Sequence, residues 1–258
     1  MSSISSSLEK NKEHHEILKK AGAIAKKQNL ACYLVGGYVR DTLLNLETSD
    51  IDLMVVGDGI KFAHLLSKSL KTNKVIEFKE FGTAIIPYEN IEIEIASART
   101  ETYSEDSRNP KVSFSSFEND MSRRDFTVNA IAWDPLQDEY LDPFDGRSDL
   151  VQRQLKMVDP STFGDDSLRV LRGVQLAARL NFDLDQQTKI LCRTISLDNL
   201  PAERIWGEIE KDDVHTSHSL GDLSCAVAQH ARHGAVVDRE HLGQHGVPPH
   251  ERRKRKRG

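Results

Sequence analysis

The stretch from Tyr33 to Leu53 constrains the fold more than any other part of the sequence. It reads YLVGGYVRDTLLNLETSDIDL. A short apolar segment, Tyr33–Val35, predicts a strand, and the glycine pair Gly36–Gly37 follows it directly. The run Tyr38–Leu46 predicts a helix, and a second apolar segment, Leu53–Val56, predicts another strand. This order indicates a layer of mixed helices and strands, with the glycines at a strand-to-helix junction.

The glycine pair and two aspartates indicate a chemistry for this stretch. Backbone N–H groups at Gly36 and Gly37 can approach a phosphate closely, and a helix N-terminus favours anions. Asp50 and Asp52 stand two residues apart at the start of a strand, so both should face one side while Ile51 faces the core. Paired carboxylates beside a phosphate cradle suit Mg²⁺. A glycine pair alone is more often a turn, and a lone Asp-x-Asp is more often solvated; their order in one stretch favours the functional interpretation.

Composition restricts the class of protein. The 258 residues suffice for one large or two modest domains, and 29% are charged against 38% hydrophobic. No apolar run is long enough to cross a membrane, and the N-terminus lacks the apolar core of a signal peptide. Cys32, Cys192 and Cys225 form neither a metal-ligand pattern nor a disulfide framework, so a reducing cytoplasm is expected. A net charge of −5 argues against a generally basic nucleic-acid-binding protein but permits a local basic face.

The flanking segments extend the α/β pattern. Helices are predicted over Leu8–Gln28 and Ile60–Leu70, and strands over Lys74–Phe78, Thr83–Pro87 and Ile91–Ile95. His14 and His15, adjacent on a polar helix, are expected to be solvated. These elements together predict a mixed sheet with helices.

The strand Ile91–Ile95 alternates strictly between isoleucine and glutamate. One interpretation is an edge or half-buried strand whose glutamate face is exposed to solvent. The other is that Glu92 or Glu94 supplies a third carboxylate opposite Asp50 and Asp52. The polar segment Thr100–Phe117 that follows has no apolar period and predicts a long loop, of the kind that is usually functional or disordered.

A basic block lies at Arg123–Arg124–Asp125, with Asn129 close behind. Two adjacent arginines can present forked donors to a triphosphate, and Asn129 can bond a ribose hydroxyl or the backbone. A solvated arginine pair is the alternative that the block alone favours. A hairpin is predicted beyond it, from Ile131–Trp133 to Tyr140–Leu141, with a short strand at 155–158.

From Pro160 the pattern is helical. One helix is predicted over 165–180, and Asp166, Arg169 and Arg172 share one of its faces. They form either a salt-bridged helix surface or a donor and acceptor edge for a nucleotide base. Further helices are predicted over Gln186–Ile195 and Ala202–Lys211.

The composition changes after residue 211. The segment 212–258 contains no Phe, Tyr or Trp but holds seven of the ten histidines, and it ends in the basic run Arg252–Arg257. Disorder, non-specific RNA binding by the basic run, an address signal and a non-native reading frame are the alternatives for this tail.

Several motifs occur in a series that carries a family likeness: LVGGYVRD with SDIDL, RRDFTVNA, YLDPFDGRSDL, DDSLRVLR and ERIWGEIEK. In this order, over about Ala31 to Lys211, they resemble the class II tRNA nucleotidyltransferases, or CCA-adding enzymes, and their bacterial poly(A) polymerase relatives. Each motif alone is modest, but the series is specific.

The resemblance implies an α+β fold, with a polymerase-β-like nucleotidyltransferase head followed by an all-helical neck. The corresponding division is an N-terminal helix over 1–30, the head over 31–158, the neck over 159–211 and the atypical tail over 212–258. Family members continue with helices that hold the tRNA acceptor stem, and the tail replaces these.

The resemblance also implies roles for individual residues. Asp50, Asp52 and Glu94 would bind catalytic Mg²⁺, since Glu94 rather than Glu92 lies on the strand before the ASAR segment. The triphosphate and ribose would be held by Gly36, Gly37, Arg40, Arg123, Arg124, Asp125 and Asn129. Asp166 and Arg169, with Arg172 on the same face, would read the incoming base.

The implied activity is addition of C, C and A to the tRNA 3′ end from CTP and ATP, with release of pyrophosphate. The segment 100–117 would help the switch from C to A. The alternatives are poly(A), CC-only or A-only addition, or an inactive remnant that binds nucleotide or RNA. The implied partners are the tRNA 3′ end, CTP and ATP, with no membrane.

Overall fold

The structure is a computed structural model that describes residues 12–48, 50–104, 107–198 and 200–209. The predicted helix start at Leu8, the end of the last predicted helix at Lys211, and the tail with Arg252–Arg257 lie outside the described residues. None of the helices in the described ranges is long and apolar enough to cross a bilayer.

From the strand Ala31–Val35 to the strand Ile91–Ser97 the elements follow the predicted order of strand, helix, strand, helix and further strands, whereas the helices Phe117–Ser122 and Gly146–Gln152 were not predicted. The helices are α1 (Lys12–Gln28), α2 (Gly37–Leu43), α3 (Gly59–Leu70), α4 (Phe117–Ser122), α5 (Gly146–Gln152), α6 (Leu168–Leu180), α7 (Gln186–Cys192) and α8 (Ala202–Ile209). The strands are β1 (Ala31–Val35), β2 (Ile51–Val56), β3 (Ile76–Phe78), β4 (Thr83–Tyr88), β5 (Ile91–Ser97), β6 (Arg99–Ser104), β7 (Ser107–Phe114), β8 (Ala132–Asp134), β9 (Glu139–Leu141), β10 (Gln154–Leu155) and β11 (Asp183–Leu184). Short 3₁₀ turns occupy Lys79–Phe81, Thr127–Asn129 and Phe163–Asp165.

A seven-stranded mixed sheet forms the centre, in the order β3-β4-β5-β2-β1-β8-β9. The pair β2–β5 is parallel, whereas β1 pairs antiparallel with both β2 and β8. This arrangement confirms the predicted mixed sheet with helices. It also puts the strand that begins after Asp50 beside the strand that carries Glu94.

The strand β2 separates the core from the site. Ile51, Leu53 and Val55 are fully buried in the main core, which the helices α1 and α3 cover. Because side chains alternate along a strand, Asp52 and Met54 point to the opposite side. There Met54 joins a smaller apolar cluster.

His14 is buried, so the prediction that it is solvated is wrong. The side chain is 2% exposed, and its Nδ1 lies 2.7 Å from the Tyr38 hydroxyl in a hydrogen bond. The physical reason is its place on α1, one turn before Ile17 and Leu18, which pack in the core. The Tyr38 hydroxyl from α2 gives the buried imidazole a polar partner. His15, beside it, is partly buried rather than fully solvated.

The predicted loop over 100–117 contains regular structure instead. The strands β6 and β7 pair antiparallel, with Arg99 opposite Phe114 and Glu101 opposite Val112. The helix α4 follows, with the Ser116 side chain accepting from the backbone N–H of Asn119 at its start. Hairpin pairing is made by backbone groups, so it does not require the apolar alternation that the sequence lacks.

The helix α6 packs across the head. Leu171 and Val174 are buried, and Gly173 lies against the Phe126 ring, where an added Cβ would be 2.9 Å from the Phe126 Cζ. After α6, the two-residue strand β11, which the sequence did not predict, pairs in parallel with β10. These contacts bring one face of α6 opposite the edge of β2 and β5.

Candidate active site

A cavity of about 760 Å³ lies between the central sheet and α6. Every residue that the sequence singled out for the site lines this cavity, with the exception of Asp50. The lining residues from that set are Gly36, Gly37, Arg40, Asp52, Glu94, Arg123, Arg124, Asp125, Asn129, Asp166, Arg169 and Arg172.

Two carboxylates form one side of the cavity. Asp52 on β2 and Glu94 on β5 are directly paired in the parallel register, so their side chains stand side by side on the same face. Burial raises the pKa of Asp52 to about 6, and the negative charges of Glu94 and Asp50 add to this rise, while Arg124 and Arg40 oppose it. Asp50 itself is exposed at the start of β2.

The carboxylate pair suits a hard divalent cation. Like charges held together by strand register are relieved when a cation binds between them, and carboxylate oxygens are the ligands that such cations prefer. Within the described ranges, no three His, Cys, Asp or Glu side chains stand close enough together to complete a metal site.

The glycine pair borders these carboxylates. Gly36 has φ of 71°, a left-handed conformation that favours glycine. A Cβ on Gly36 would lie 3.5 Å from the Asp52 Oδ2 and 3.5 Å from the Arg124 Nη1. The backbone of Gly36 thus lies between an acidic and a basic side chain. The helix α2 that follows has only seven residues, so the site does not depend on a long helix.

Arg40 is buried beneath the glycine pair and is only 4% exposed. Its Nε and Nη2 donate to the two carboxylate oxygens of Asp41 at 2.7 and 2.9 Å, and its Nη1 donates to the Asn129 Oδ1 at 2.6 Å. Arg40 therefore joins α2 to the basic block. Asn129 in turn donates to Asp125 at 3.0 Å.

The two arginines of the basic block are held by one buried carboxylate. The oxygens of Asp120, which is 2% exposed, lie 2.9 Å from the Arg123 Nη2 and 3.2 Å from the Arg124 Nη2. The Arg124 Nε is buried without a hydrogen-bond partner. This arrangement excludes the alternative of a freely solvated arginine pair.

The face of α6 supplies the opposite side. Arg169 donates from Nη1 to the Thr162 carbonyl at 3.0 Å and from Nη2 to the Arg123 carbonyl at 2.7 Å. Asp166 accepts from the backbone N–H of Leu168 at 3.1 Å. Arg172 Nη1 lies 3.9 Å from the Asp125 carboxylate. The predicted base-reading face and the predicted triphosphate-binding block are therefore in direct contact.

The chain matches proteins that process tRNA. Residues 32–156 match the family described as the Poly A polymerase head domain. The chain is 35% identical over 226 residues to the A-adding tRNA nucleotidyltransferase of Halalkalibacterium halodurans, covering 82% of this chain and 53% of that protein. It is 36% identical over 185 residues to the CCA-adding enzyme of Geobacillus sp., covering 69% and 44%.

A solved structure of a related enzyme has a similar fold. It is described as a tRNA nucleotidyltransferase complexed with a primer tRNA and an incoming ATP analog, and it superimposes with a TM-score of 0.67 at 32% identity, covering 84% of this chain and 61% of that chain. The chain belongs to the tRNA nucleotidyltransferase and poly(A) polymerase family. Its fold is that family's polymerase-β-like head followed by helices.

The match to these tRNA nucleotidyltransferases covers a part of each relative. The chain spans about half the length of these two curated relatives and 23% of the A-adding tRNA nucleotidyltransferase of Aquifex aeolicus. Nucleotidyltransferases of this family generally use divalent metal ions, in agreement with the all-carboxylate donor set at Asp52 and Glu94.

Several cavity residues of this family member were not predicted from its sequence. Gln175 and Arg179 line the cavity, and Asp41 and Asp120 hold its arginines. The spacing of Asp166, Arg169 and Arg172 continues to Gln175 and Arg179 along the same helix face, and this periodicity was the signal that could have revealed them.

Proposed function

We propose that the chain is a tRNA nucleotidyltransferase that adds C, C and A to the 3′ end of tRNA from CTP and ATP, releasing pyrophosphate. The observation that carries the proposal is a cavity in which the Asp52–Glu94 pair faces an arginine-rich wall across the backbone of Gly36, which has no side chain. Opposite charges on the two sides suit a metal-bound triphosphate between them.

We propose Mg²⁺ as the metal, held by Asp52 and Glu94 with Asp50 at the rim. The chemistry that Mg²⁺ supplies when bound is neutralisation of the triphosphate and activation of the tRNA 3′-hydroxyl. The raised pKa of Asp52 reflects a carboxylate whose charge the protein alone compensates incompletely. In-line attack on the α-phosphate then depends on positioning more than on a dedicated base.

The triphosphate and ribose are assigned to the glycine pair and the basic block. Gly36 and Gly37 offer backbone N–H groups, and Arg123 and Arg124, held by Asp120, offer guanidinium donors. Arg40 contributes from beneath the glycines. Asp125 and Asn129, which are hydrogen-bonded to each other, border the place for the ribose.

Base selection is assigned to Asp166 and Arg169, with Arg172 beside them. Asp166 and Arg169 are partly buried, and a donor and acceptor edge shielded from water discriminates because a wrong base leaves polar groups unpaired, at a cost of roughly 1–3 kcal/mol each. The contacts of Arg169 with two backbone carbonyls keep its guanidinium in one orientation. The neck (159–211) thus selects the base, the head (31–158) performs the transfer, and a cytoplasmic location remains a prediction from the cysteine pattern.

A second candidate is addition of the terminal A only. The specific observation is that relatives from Halalkalibacterium halodurans and Aquifex aeolicus, at 35% and 39% identity, are A-adding tRNA nucleotidyltransferases. CCA-adding relatives match at similar identity, so the choice between the two activities needs a direct assay.

The assay supplies labelled CTP and ATP with Mg²⁺ to two tRNA primers, one lacking the whole CCA end and one ending in CC. Extension of both primers to CCA, followed by a stop, is the expected result. Extension of the CC primer alone would show that the activity is addition of A and not of the whole CCA end. Runaway adenylation would indicate a poly(A) activity. Binding of ATP without any product would identify an inactive remnant and overturn the proposal.

A further inference from the structure

A second cluster of two arginines around one aspartate joins the head to α6. The Oδ2 atom of Asp41 accepts from the Arg40 Nη2 at 2.9 Å and lies 3.6 Å from the Arg179 Nη1. Two guanidinium groups, one from α2 and one from α6, therefore meet at the same carboxylate oxygen. The Asp41 side chain is 12% exposed and the Arg179 side chain is 33% exposed.

This cluster repeats the arrangement of the basic block. In that block the buried Asp120 holds Arg123 and Arg124, and both arginines line the cavity. In the second cluster Asp41 holds Arg40 and Arg179, and both of these also line the cavity. In each cluster two guanidinium groups therefore meet at one carboxylate at the wall of the cavity.

The charge of Arg40 is largely compensated before any ligand arrives. Both carboxylate oxygens of Asp41 accept from Arg40, and the third donor group of Arg40 is taken by Asn129. Arg179 is the more exposed positive group of the cluster, at 33% of its side chain against 5% for Arg40, and it lines the cavity.

The cluster lies at the glycine end of the cavity. A Cβ on Gly37 would lie 3.4 Å from the Arg40 Nη2, the atom that shares the Asp41 Oδ2 with Arg179. Arg179 is in the last turn of α6, whereas Arg169 is in its first turn. The same helix thus places Arg169 beside the basic block and Arg179 beside the glycine pair.

We propose that Arg179 is a triphosphate-binding residue that the neck contributes, and that Asp41 is the residue that positions it together with Arg40. This inference rests on the proposed function. A nucleotide bound along α6 is held by Arg169 at its base and by Arg179 at its phosphates. The neck therefore senses whether the bound nucleotide carries a triphosphate.

The test compares binding of ATP and AMP to the full chain in the presence of Mg²⁺. Arg179→Gln should weaken ATP binding by about 10- to 100-fold, because it removes a charge-assisted contact, and should leave AMP binding within about two-fold. Arg169→Gln should weaken ATP and AMP by the same factor, since both ligands share the base. Arg204→Gln, an exposed arginine on α8 outside the cavity, is the matched control and should change neither.

Two further variants separate charge from structure. Arg179→Lys keeps the charge and should recover part of the ATP affinity, whereas Asp41→Asn should weaken ATP binding because both arginines lose their common anchor. Equal losses for ATP and AMP in Arg179→Gln, or no loss in a variant that melts like the wild type, would overturn the inference. Failure of the wild type to bind ATP at all would instead overturn the proposed function.

Discussion

The two sides of the cavity are built in opposite ways. On the sheet side, strand register places Asp52 beside Glu94. On the side of the basic block and α6, each arginine is already engaged: Arg123 and Arg124 by Asp120, and Arg169 by two carbonyls. The sheet side holds two negative charges next to each other, whereas the positive charges of the other side are paired with a carboxylate or with carbonyl groups.

This difference separates two kinds of preorganisation. The carboxylate side is positioned by the backbone pairing of β2 with β5, and burial, together with the neighbouring charge of Glu94, raises the pKa of Asp52 to about 6. The arginine side is positioned by side-chain contacts, which are local between Asp120 and its two arginines but run from α6 to the head between Arg169 and the Arg123 carbonyl, so part of its geometry depends on how α6 sits on the head. The first should be sensitive to metal and pH, and the second to substitutions that loosen α6.

The largest expected effect is the loss of transfer when the carboxylate pair is broken. Asp52→Asn, and likewise Asp50→Ala, should reduce nucleotide incorporation by roughly 100- to 1,000-fold or more, because the charge that holds the metal is lost. The fold should persist, as circular dichroism would report. Near-normal turnover in either variant would remove that residue from the metal site.

Glu94 and Glu92 provide a matched comparison on one strand face. Glu94→Gln should reduce incorporation by about 10- to 100-fold, since Glu94 is the cross-strand partner of Asp52. Glu92→Gln, which pairs instead with Pro87 and lies outside the cavity, should leave the rate unchanged. Equal effects of the two substitutions would contradict the assignment of Glu94.

The raised pKa of Asp52 predicts that the free energy of unfolding depends on pH. Because the pKa of Asp52 is about 6 in the folded chain and near 4 when unfolded, the folded chain binds more protons between these values. The stability that this group contributes is therefore present below about pH 4 and is lost as pH rises through 6, by about 2–3 kcal/mol. Denaturant unfolding in EDTA should show this loss in the wild type and not in Asp52→Asn. Parallel pH profiles for the two proteins would contradict a raised pKa of Asp52 in the folded chain.

The smallest expected effect concerns base choice. Arg169→Ala should reduce discrimination between CTP and ATP by about 10-fold, because one donor edge is lost, while triphosphate affinity changes less. Competition between the two nucleotides on a primer lacking CCA measures this ratio. Unchanged fidelity would show that the hydrogen bonds of Arg169 to Thr162 and Arg123 are purely structural.

The sequence predicted the parts of the site that depend on local order. Alternation along β2 and β5 was sufficient to orient Asp52 and Glu94, and helical spacing was sufficient to group Asp166, Arg169 and Arg172. The parallel register that makes Asp52 and Glu94 neighbours is a long-range property, and spacing alone could not supply it. The resemblance to known nucleotidyltransferases narrowed the third carboxylate to Glu94.

The features that the sequence did not predict depend on contacts that a local sequence pattern does not reveal. The polar sequence around His14 predicts a solvated side chain, but α1 packs on the core there and the Tyr38 hydroxyl from α2 supplies a hydrogen-bond partner. The hairpin β6–β7 was missed because its pairing depends on backbone bonds rather than on an apolar pattern. Asp41 and Asp120 escaped notice because a buried carboxylate is recognisable only once its arginine partners are in place.

The most direct test of the central claim is the metal dependence of transfer from α-phosphate-labelled ATP to tRNA ending in CC. If the Asp52–Glu94 pair works through a divalent cation, transfer should be absent in EDTA, should rise to saturation with Mg²⁺, and should stay absent in Asp52→Asn at every Mg²⁺ concentration. Transfer that proceeds equally in EDTA, or that Asp52→Asn supports at the wild-type rate, would contradict the account.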